Sequence, residues 1–422
     1  MKKKIKMKQV ITETAYGGQL VPIKAWLNDI EESALRQAVN LANLPFVFKH
    51  VALMPDAHAG YGMPIGGVLA TCGVVIPNAV GVDIGCGMRV LKTDIPVAEM
   101  TVELRKAIMS KIREVIPLGM NHHETRQDMS KEIELHSAVA EVVEREYESA
   151  HYQIGTLGGG NHFIEIQAGD DGYVYVMIHS GSRNLGKRIA DHYNKIAMSL
   201  NEKWYSSVTP NMQLAFLPID DPYGKAYMHE MDFAVRFAKY NRKLMMDRIA
   251  DILLDLRHST GFLQICDSGV PVLDVPHNYA RLENHYNTNV MVHRKGATKA
   301  ADGGYGIIPG SQGTSSYIVI GKGNPESFES CSHGAGRLMG RNEARRTLDL
   351  QKEIERLDSQ GIVHSVRSEH DLDEAAGAYK NIDVVMENQK DLVDIAVKLK
   401  PLAVIKADEK PRNRKKNSED MS

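Results

Sequence analysis

The chain has 422 residues, 43% hydrophobic and 25% charged, with a formal net charge of −2. That composition gives a globular protein with length for a large core, and it excludes a polycation that binds nucleic acid through a global field; any such contact has to be a local basic site. Cys72, Cys86, Cys266 and Cys331 are scattered and form no CxxC pair, which excludes a disulfide scaffold and a zinc ribbon.

The basic start MKKKIKMKQV is not followed by the apolar stretch of a signal peptide. No run approaches the ~18 apolar residues of a membrane span, so a cytoplasmic protein with reduced thiols is expected. The first helix is predicted over 28–43, where Asn28 or Asp29 can cap it and Ile30, Leu35, Val39 and Leu41 recur at roughly helical spacing. A β-type run follows at 66–76, then helical patterns at 101–116 and 131–149 and a strand at 173–179. Residues 226–256 lack glycine and proline and predict one long helix or a broken pair. Strands are predicted at 289–294 and 316–321, and helices at 334–358 and 385–399. Strands and helices do not alternate, so an α+β architecture is expected and not a doubly wound sheet. The stretch 408–422 is polar and poor in apolar residues, and is expected to be a disordered tail. Residues 1–407 then form one large domain, with central β-sheets flanked by helices.

Chemistry concentrates in glycine-rich loops beside the strands. Of 17 histidines, His122, His123, His136, His151, His364 and His370 sit in polar or helical contexts and are expected at the surface or the edge of the core. VDIGCGMRV places Asp83 three residues before Cys86. LGGGNHF offers three glycines whose N–H groups can approach an anion, then Asn161 and His162, with Glu165 beyond. MIHSGSRNLG ends a strand in His179 and presents Arg183, a residue suited to phosphate. VPHNYA supplies His277 and Asn278, and IIPGSQGTSSY makes a loop of small hydrogen-bonding residues. SCSHGAGRLMGR sets His333 before Gly-Ala-Gly and a predicted helix start bearing Arg337 and Arg341, a place that favours anions. Asp83, Cys86, His162, His179 and His277 together make an N/O/S ligand set for Mn, Fe, Zn or Co, and not for Mg or Ca. A thiolate bridging two metals about 3.5–4 Å apart would allow phosphoryl transfer. There is no GxxxxGK[ST] loop and no KxDG nucleophile, so a covalently activated nucleotide needs another nucleophile, for which His333 is the candidate.

These motifs, in this order, resemble the RtcB RNA-splicing ligases. The resemblance runs from FKHVALMPDAHAGYGMPIG (48–66) through VDIGCGM, LGGGNHFIE, HSGSR, HNYA, HRKGAT, PGSQGTSSY and SHGAGR to PLAVIKA (401–407). It implies an RtcB-like fold and an enzyme that uses GTP and two Mn²⁺ ions. That enzyme joins RNA 3′-phosphate or 2′,3′-cyclic phosphate ends to 5′-hydroxyl ends, in RNA repair or tRNA splicing. It implies that Asp83, Cys86 and His162 hold one Mn²⁺, and that Cys86 bridges to a second held by His179 and His277. His333 would take up GMP and pass it to the RNA as a 3′-ppG end. Asn161, His162, Phe163, Ile164, Glu165, His277, Asn278, Pro309, Gly310, Ser311, Gln312, Ser316, His333, Gly334, Ala335, Gly336 and Lys406 match the family's guanylate pocket. Glu165 would read the guanine N1–H and N2 amine, and Arg183, Lys295 and Arg341 would hold RNA phosphates.

Two departures stand out: Gln312 where many members carry methionine, and Ala407 after Lys406 where glycine is common. An archease-like activator is a partner the resemblance admits, no membrane partner is expected, and a monomer is the default. Two other readings stand beside this one. One is a related guanylyltransferase or end-processing enzyme that caps 3′-phosphate ends without efficient sealing. The other is a non-catalytic RNA-binding accessory protein, against which the full ligand set and His333 argue.

Overall fold

The computed structural model describes residues 9–14, 17–129, 133, 141–256 and 272–407. The tail at 408–422, His136, Cys266 and most of the first half of the 131–149 helical pattern lie outside the described residues.

Two sheets organise the α+β domain. The six-stranded sheet runs Gln9–Thr14, Gly17–Ala25, Val47–His58, Ile65–Thr71, Thr288–Lys295, Asn278–His285. The seven-stranded sheet runs Leu273–Pro276, Gly87–Pro96, Tyr173–Ser180, Phe163–Gly169, Val393–Ile405, Ser316–Gly321, Tyr305–Ile308, every pair antiparallel. Its central strands are buried on both faces, which is why YVYVMIH reads as a nearly unbroken apolar run. One face packs Ile164, Ile166, Val176 and Ile178 against Ile108 and Ile112 of the helix Val102–Val115 and Met245 and Ile249 of the helix Pro222–Leu256. The other packs Met88, Val90 and Met177 with Ile307, Ile318 and Leu399. Among the described residues no helix is long and apolar enough to cross a membrane.

The predicted helix at 28–43 forms over Glu32–Ala42 and that at 101–116 over Val102–Val115, where Thr101 caps the N-terminus through the Leu104 N–H. The 226–256 pattern is a single 35-residue helix, Pro222–Leu256. The run at 66–76 divides into Ile65–Thr71 and Val74–Val75.

Two helix predictions fail. Residues 385–399 hold only the end of a short helix, Ile382–Glu387, and then the strand Val393–Ile405, whose buried Val393, Val397 and Leu399 follow a period of two. Strands on both sides complete its hydrogen bonds, and that pairing outweighs local helical preference. Residues 334–340 are not helical. Helix begins at Arg341, because Gly336 takes φ +74 and packs on Asp56, whose carbonyl oxygen would lie 2.3 Å from any β-carbon there. Helices occupy only Arg341–Thr347 and Leu350–Asp358 of that stretch.

Candidate functional site

Strand register explains how ligands far apart in sequence meet. Leu273–Pro276, Gly87–Pro96, Tyr173–Ser180 and Phe163–Gly169 are consecutive neighbours. His179 lies opposite Met88 on one side and Phe163 on the other, and Pro276 lies opposite Gly87. Cys86 precedes Gly87, His162 precedes Phe163 and His277 follows Pro276, so all four reach one end of the sheet. Main-chain bonds pin the turn that carries Asp83: His277 N–H donates to Cys86 O at 2.8 Å and Gly85 N–H to Asn278 O at 2.8 Å. Asn278 Nδ2 donates to Asp83 O at 3.1 Å. Gly85 takes φ +73 with its α-carbon against the helix Pro222–Leu256; a β-carbon there would lie 2.8 Å from Val235 Cα.

Cys86 Sγ lies 3.2 Å from His179 Nε2 and 3.5 Å from His162 Nε2. His179 Nε2 is 3.3 Å from His277 Nε2, and His162 Nε2 is 3.1 Å from Asp83 Oδ2. These atoms form two triads, Cys86–His179–His277 and Asp83–Cys86–His162, each within 4.8 Å, with the sulfur common to both. His162 Nδ1 donates to Leu157 O at 2.9 Å and His179 Nδ1 to Asn161 O at 3.0 Å. Those bonds fix the tautomers and turn both Nε2 lone pairs inward. Inward lone pairs, a sulfur and a carboxylate at these distances repel one another unless a cation lies among them.

Burial drives His179 and His277 well below the ordinary imidazole value, leaving the neutral, ligating form. Burial also pushes the Cys86 thiol up, a tendency a bound cation reverses. Burial alone would raise the Asp83 carboxyl, but a protonated His162 beside it pulls it down to about 2, and a cation shared with neutral His162 would act in the same sense. One carboxylate, one sulfur and three imidazoles fit a transition-metal ion and not a hard alkaline-earth ion.

Sequence reasoning did not single out the residues that support this centre. Arg242 has a fully buried side chain and donates to Gly85 O and Ser180 O, both at 2.9 Å, while pairing with Asp274 at 2.6 Å. Asn241 Oδ1 accepts from Gly155 N at 2.7 Å and Thr156 N at 3.1 Å, and its Nδ2 donates to Ser180 Oγ and Gly181 O, both at 3.1 Å. The helix therefore braces both the LGGGNHF loop and the end of the His179 strand. Nothing in its polar-apolar pattern separates Asn241 and Arg242 from surface residues. Asp56 is also new. It is wholly buried, and its Oδ2 accepts from His333 Nδ1 at 2.7 Å, His333 N at 3.1 Å and Gly334 N at 3.2 Å. The motif MPDAHAG was the signal that could have found it.

His333 follows the strand Ser330–Ser332, with its ring centroid 4.8 Å from that of His277. It borders two cavities, one of about 700 Å³ and one of about 1190 Å³. Asn161, Phe163, Glu165, Pro309–Gln312, His333–Gly336, Arg341 and Lys406 line the first. Buried Glu374 gathers Arg337 at 3.1 Å, Arg341 at 3.2 Å and Lys406 at 3.5 Å on its wall. Glu165 also lines it; burial raises its carboxyl to about 7, opposed by a 2.6 Å hydrogen bond from Gln167 Nε2 and by the charge of Lys406.

A sequence model of the tRNA-splicing ligase RtcB family matches residues 37–407. The chain belongs to the RtcB ligase family. It is 36% identical to the RNA-splicing ligase RtcB of Escherichia coli K12, over 91% of this chain and 97% of that protein. It is 32% identical to the RNA-splicing ligase RtcB of Mycobacterium tuberculosis, over 88% and 100% of the two chains. It is 31% identical to the tRNA-splicing ligase RtcB of Pyrobaculum aerophilum, over 92% and 95%.

The remaining expected residues take other places. Ile164 faces the apolar core, away from the first cavity. His162 stays with the cluster of Asp83, Cys86, His179 and His277 and does not line that cavity. Ser316 Oγ accepts from Gly310 N and Gln167 Nε2, both at 3.1 Å, and so shapes the Pro309–Gln312 loop. His277 and Asn278 line the second cavity, as does Lys295. Burial lowers the Lys295 ammonium to about 7, and its Nζ donates to Asn78 O at 2.9 Å. Arg183 is tied down inside the protein by bonds to Thr156 Oγ1 and Gly119 O, both at 3.0 Å.

Proposed function

We propose that this protein is a GTP- and Mn²⁺-dependent RNA ligase that joins RNA 3′-phosphate or 2′,3′-cyclic phosphate ends to 5′-hydroxyl ends through His333-GMP. The observation that carries the reading is the setting of His333, an imidazole oriented by a buried carboxylate at the seam of two cavities and beside the ligand cluster. The ligase names of the relatives agree with it.

Asp56 holds the proton on His333 Nδ1, which leaves the Nε2 lone pair as nucleophile. His333 Nε2 attacks the α-phosphorus of GTP; the P–N bond forms, the α–β phosphoanhydride bond breaks and pyrophosphate leaves. Positive charge then grows on the ring, and the Asp56 carboxylate stabilises it. An oxygen of the RNA 3′-phosphate attacks the same phosphorus, breaks the P–N bond and yields a 3′-ppG end. The 5′-hydroxyl attacks the RNA phosphate, forming the new diester and releasing GMP. A cyclic phosphate end is first opened by water. Asp83, Cys86, His162, His179 and His277 would hold manganese, which would neutralise phosphate charge and act as a Lewis acid. Glu165, ionised, accepts from the guanine N1–H and N2 amine, which favours GTP over ATP. Transfer-RNA exon joining and repair of damaged RNA both present such ends.

The test is incubation with α-labelled GTP and Mn²⁺. A covalent label that survives alkali, is lost in acid and is absent from His333→Ala is expected. An unlabelled protein, or full labelling of His333→Ala, would falsify the covalent-histidine route. Addition of RNA bearing 3′-phosphate and 5′-hydroxyl ends then separates sealing from capping alone.

A further inference from the structure

Two cavities meet at His333, and the guanylate accounts for only the first. The second, of about 1190 Å³, has buried Cys86, His277 and Lys295 and half-buried Asp83 in its lining, and exposed Tyr61 and Tyr205 at its rim. If guanylate on His333 fills the first cavity, RNA has to reach the same imidazole through the second.

The rim is unusual for a protein surface. Tyr205 is 95% exposed and Tyr61 is 72% exposed. Tyr205 follows the helix Arg183–Lys203 with φ +53, left-handed backbone disfavoured for a residue with a bulky side chain. That conformation ends the helix, with Ser206 N–H donating to Asn201 O at 3.0 Å and Tyr205 N–H to Glu202 O at 3.1 Å, and it turns the ring out into solvent. The loops carrying the rings are clamped together. Gly62 N–H donates to Gln213 Oε1 at 3.2 Å, and Asn78 Nδ2 donates to Gln213 O at 2.9 Å. Lys295 Nζ bonds Tyr61 O at 2.5 Å and Asn78 O at 2.9 Å. The main chain under Tyr61 is therefore fixed to a lysine that faces the same cavity as the metal ligands.

Charge does not explain what such a cavity would hold. Its lining cations are Lys187 and Lys295, against Asp83, Asp191 and Glu202, and Lys187 is already paired with Asp191 at 2.5 Å. Neutralisation of many phosphates is excluded, so a nucleic-acid strand would be held through its base faces. An unpaired strand exposes those faces and a duplex does not. We propose that the second cavity receives an unpaired RNA end, whose bases stack on Tyr205 with Tyr61 on the same rim. This rests on the RNA-ligase reading above.

The experiment follows sealing of 3′-phosphate and 5′-hydroxyl oligoribonucleotides at varied RNA concentration, in the unaltered protein, Tyr205→Ala and Tyr205→Phe. GTP labelling of His333 without RNA is read on the same samples. Tyr205→Ala is expected to raise the KM for RNA about five- to a hundredfold, the range seen when a stacking aromatic is removed, with little change in kcat. Tyr205→Phe is expected to restore the KM, and unpaired ends are expected to be better substrates than the same ends held in a duplex. An unchanged KM in Tyr205→Ala, or a Tyr205→Phe as impaired as Tyr205→Ala, overturns the stacking role. An unaltered protein that neither labels nor seals removes the ligase reading and this proposal with it, so the two failures are told apart.

Discussion

The sharpest consequence of the site is the dependence of His333 on Asp56. In Asp56→Asn the amide has two orientations, and the structure decides between them. Three donors, His333 Nδ1, His333 N and Gly334 N, converge on Oδ2 at 2.7–3.2 Å, so the amide oxygen takes that place. The tautomer of His333 is kept. What changes is charge: a charge-assisted hydrogen bond becomes a neutral one, a loss of about 1–1.5 kcal/mol as positive charge grows on the ring. The rate of His333 guanylylation should fall about five- to twelvefold. The amide nitrogen then occupies the Oδ1 position, which is buried and has no hydrogen-bond partner. The carboxylate oxygen it replaces is equally unsatisfied, so urea denaturation should show little of the ~1–3 kcal/mol that a newly unsatisfied buried group costs. Single-turnover labelling with α-labelled GTP, at saturating nucleotide, measures the rate. A folded Asp56→Asn that labels within about twofold of the unaltered protein would show that the carboxylate charge plays no part in the nucleophile's activation.

Other consequences concern the metal centre, the base pocket and the helix beneath them. Cys86→Ala removes the atom common to both triads, so metal analysis should show weakened binding at both; normal occupancy at one would reject the bridging role. Glu165 is held up at about 7, so lowering the pH from 8 to 6 protonates it and removes the acceptor that the proposed function assigns to guanine. GMP affinity should fall over that window, by up to about tenfold per pH unit below 7, and calorimetry on Glu165→Gln should give a flat profile. Arg242→Met leaves Asp274 buried with Arg89 at 3.3 Å and strips donors from Gly85 O and Ser180 O. A loss of about 3–5 kcal/mol in urea unfolding is expected, and a loss below about 1 kcal/mol would contradict the bracing role.

What the sequence made legible followed from local pattern. The helices at 28–43, 101–116 and 226–256 carry apolar residues with few breakers, and they form within a few residues of those limits. The five ligand candidates could be named from residue type, because a cysteine among glycines and histidines beside strand ends suit few other roles. Their convergence could not. It depends on the register of four strands drawn from residues 87 to 276, and register is a property of pairing that no local window contains. The failure at 385–399 has the same origin, since two neighbouring strands supply the bonds that decide its conformation.

The residues that escaped notice share a different character. Asp56, Asn241 and Arg242 are polar side chains wholly inside the protein, each with several partners from distant parts of the chain. On a linear sequence a carboxylate or guanidinium reads as a solvated group, because burying one is unfavourable unless its partners are already in place. Those partners are chiefly main-chain atoms of the functional loops: the N–H groups of residues 333 and 334, the N–H groups of 155 and 156, and the carbonyls of 85 and 180. Four of the glycine-rich loops, those of Gly85, Gly158, Gly181 and Gly334, are thus held by buried polar residues that residue type alone did not mark out. Glycines let the loops take the required shapes, but the same freedom raises the entropy that must be lost on ordering them. The side chains that offset that loss lie on the long helix and on the strand Val47–His58, so substitutions there should disturb the proposed chemistry while leaving the ligand candidates and His333 themselves unaltered.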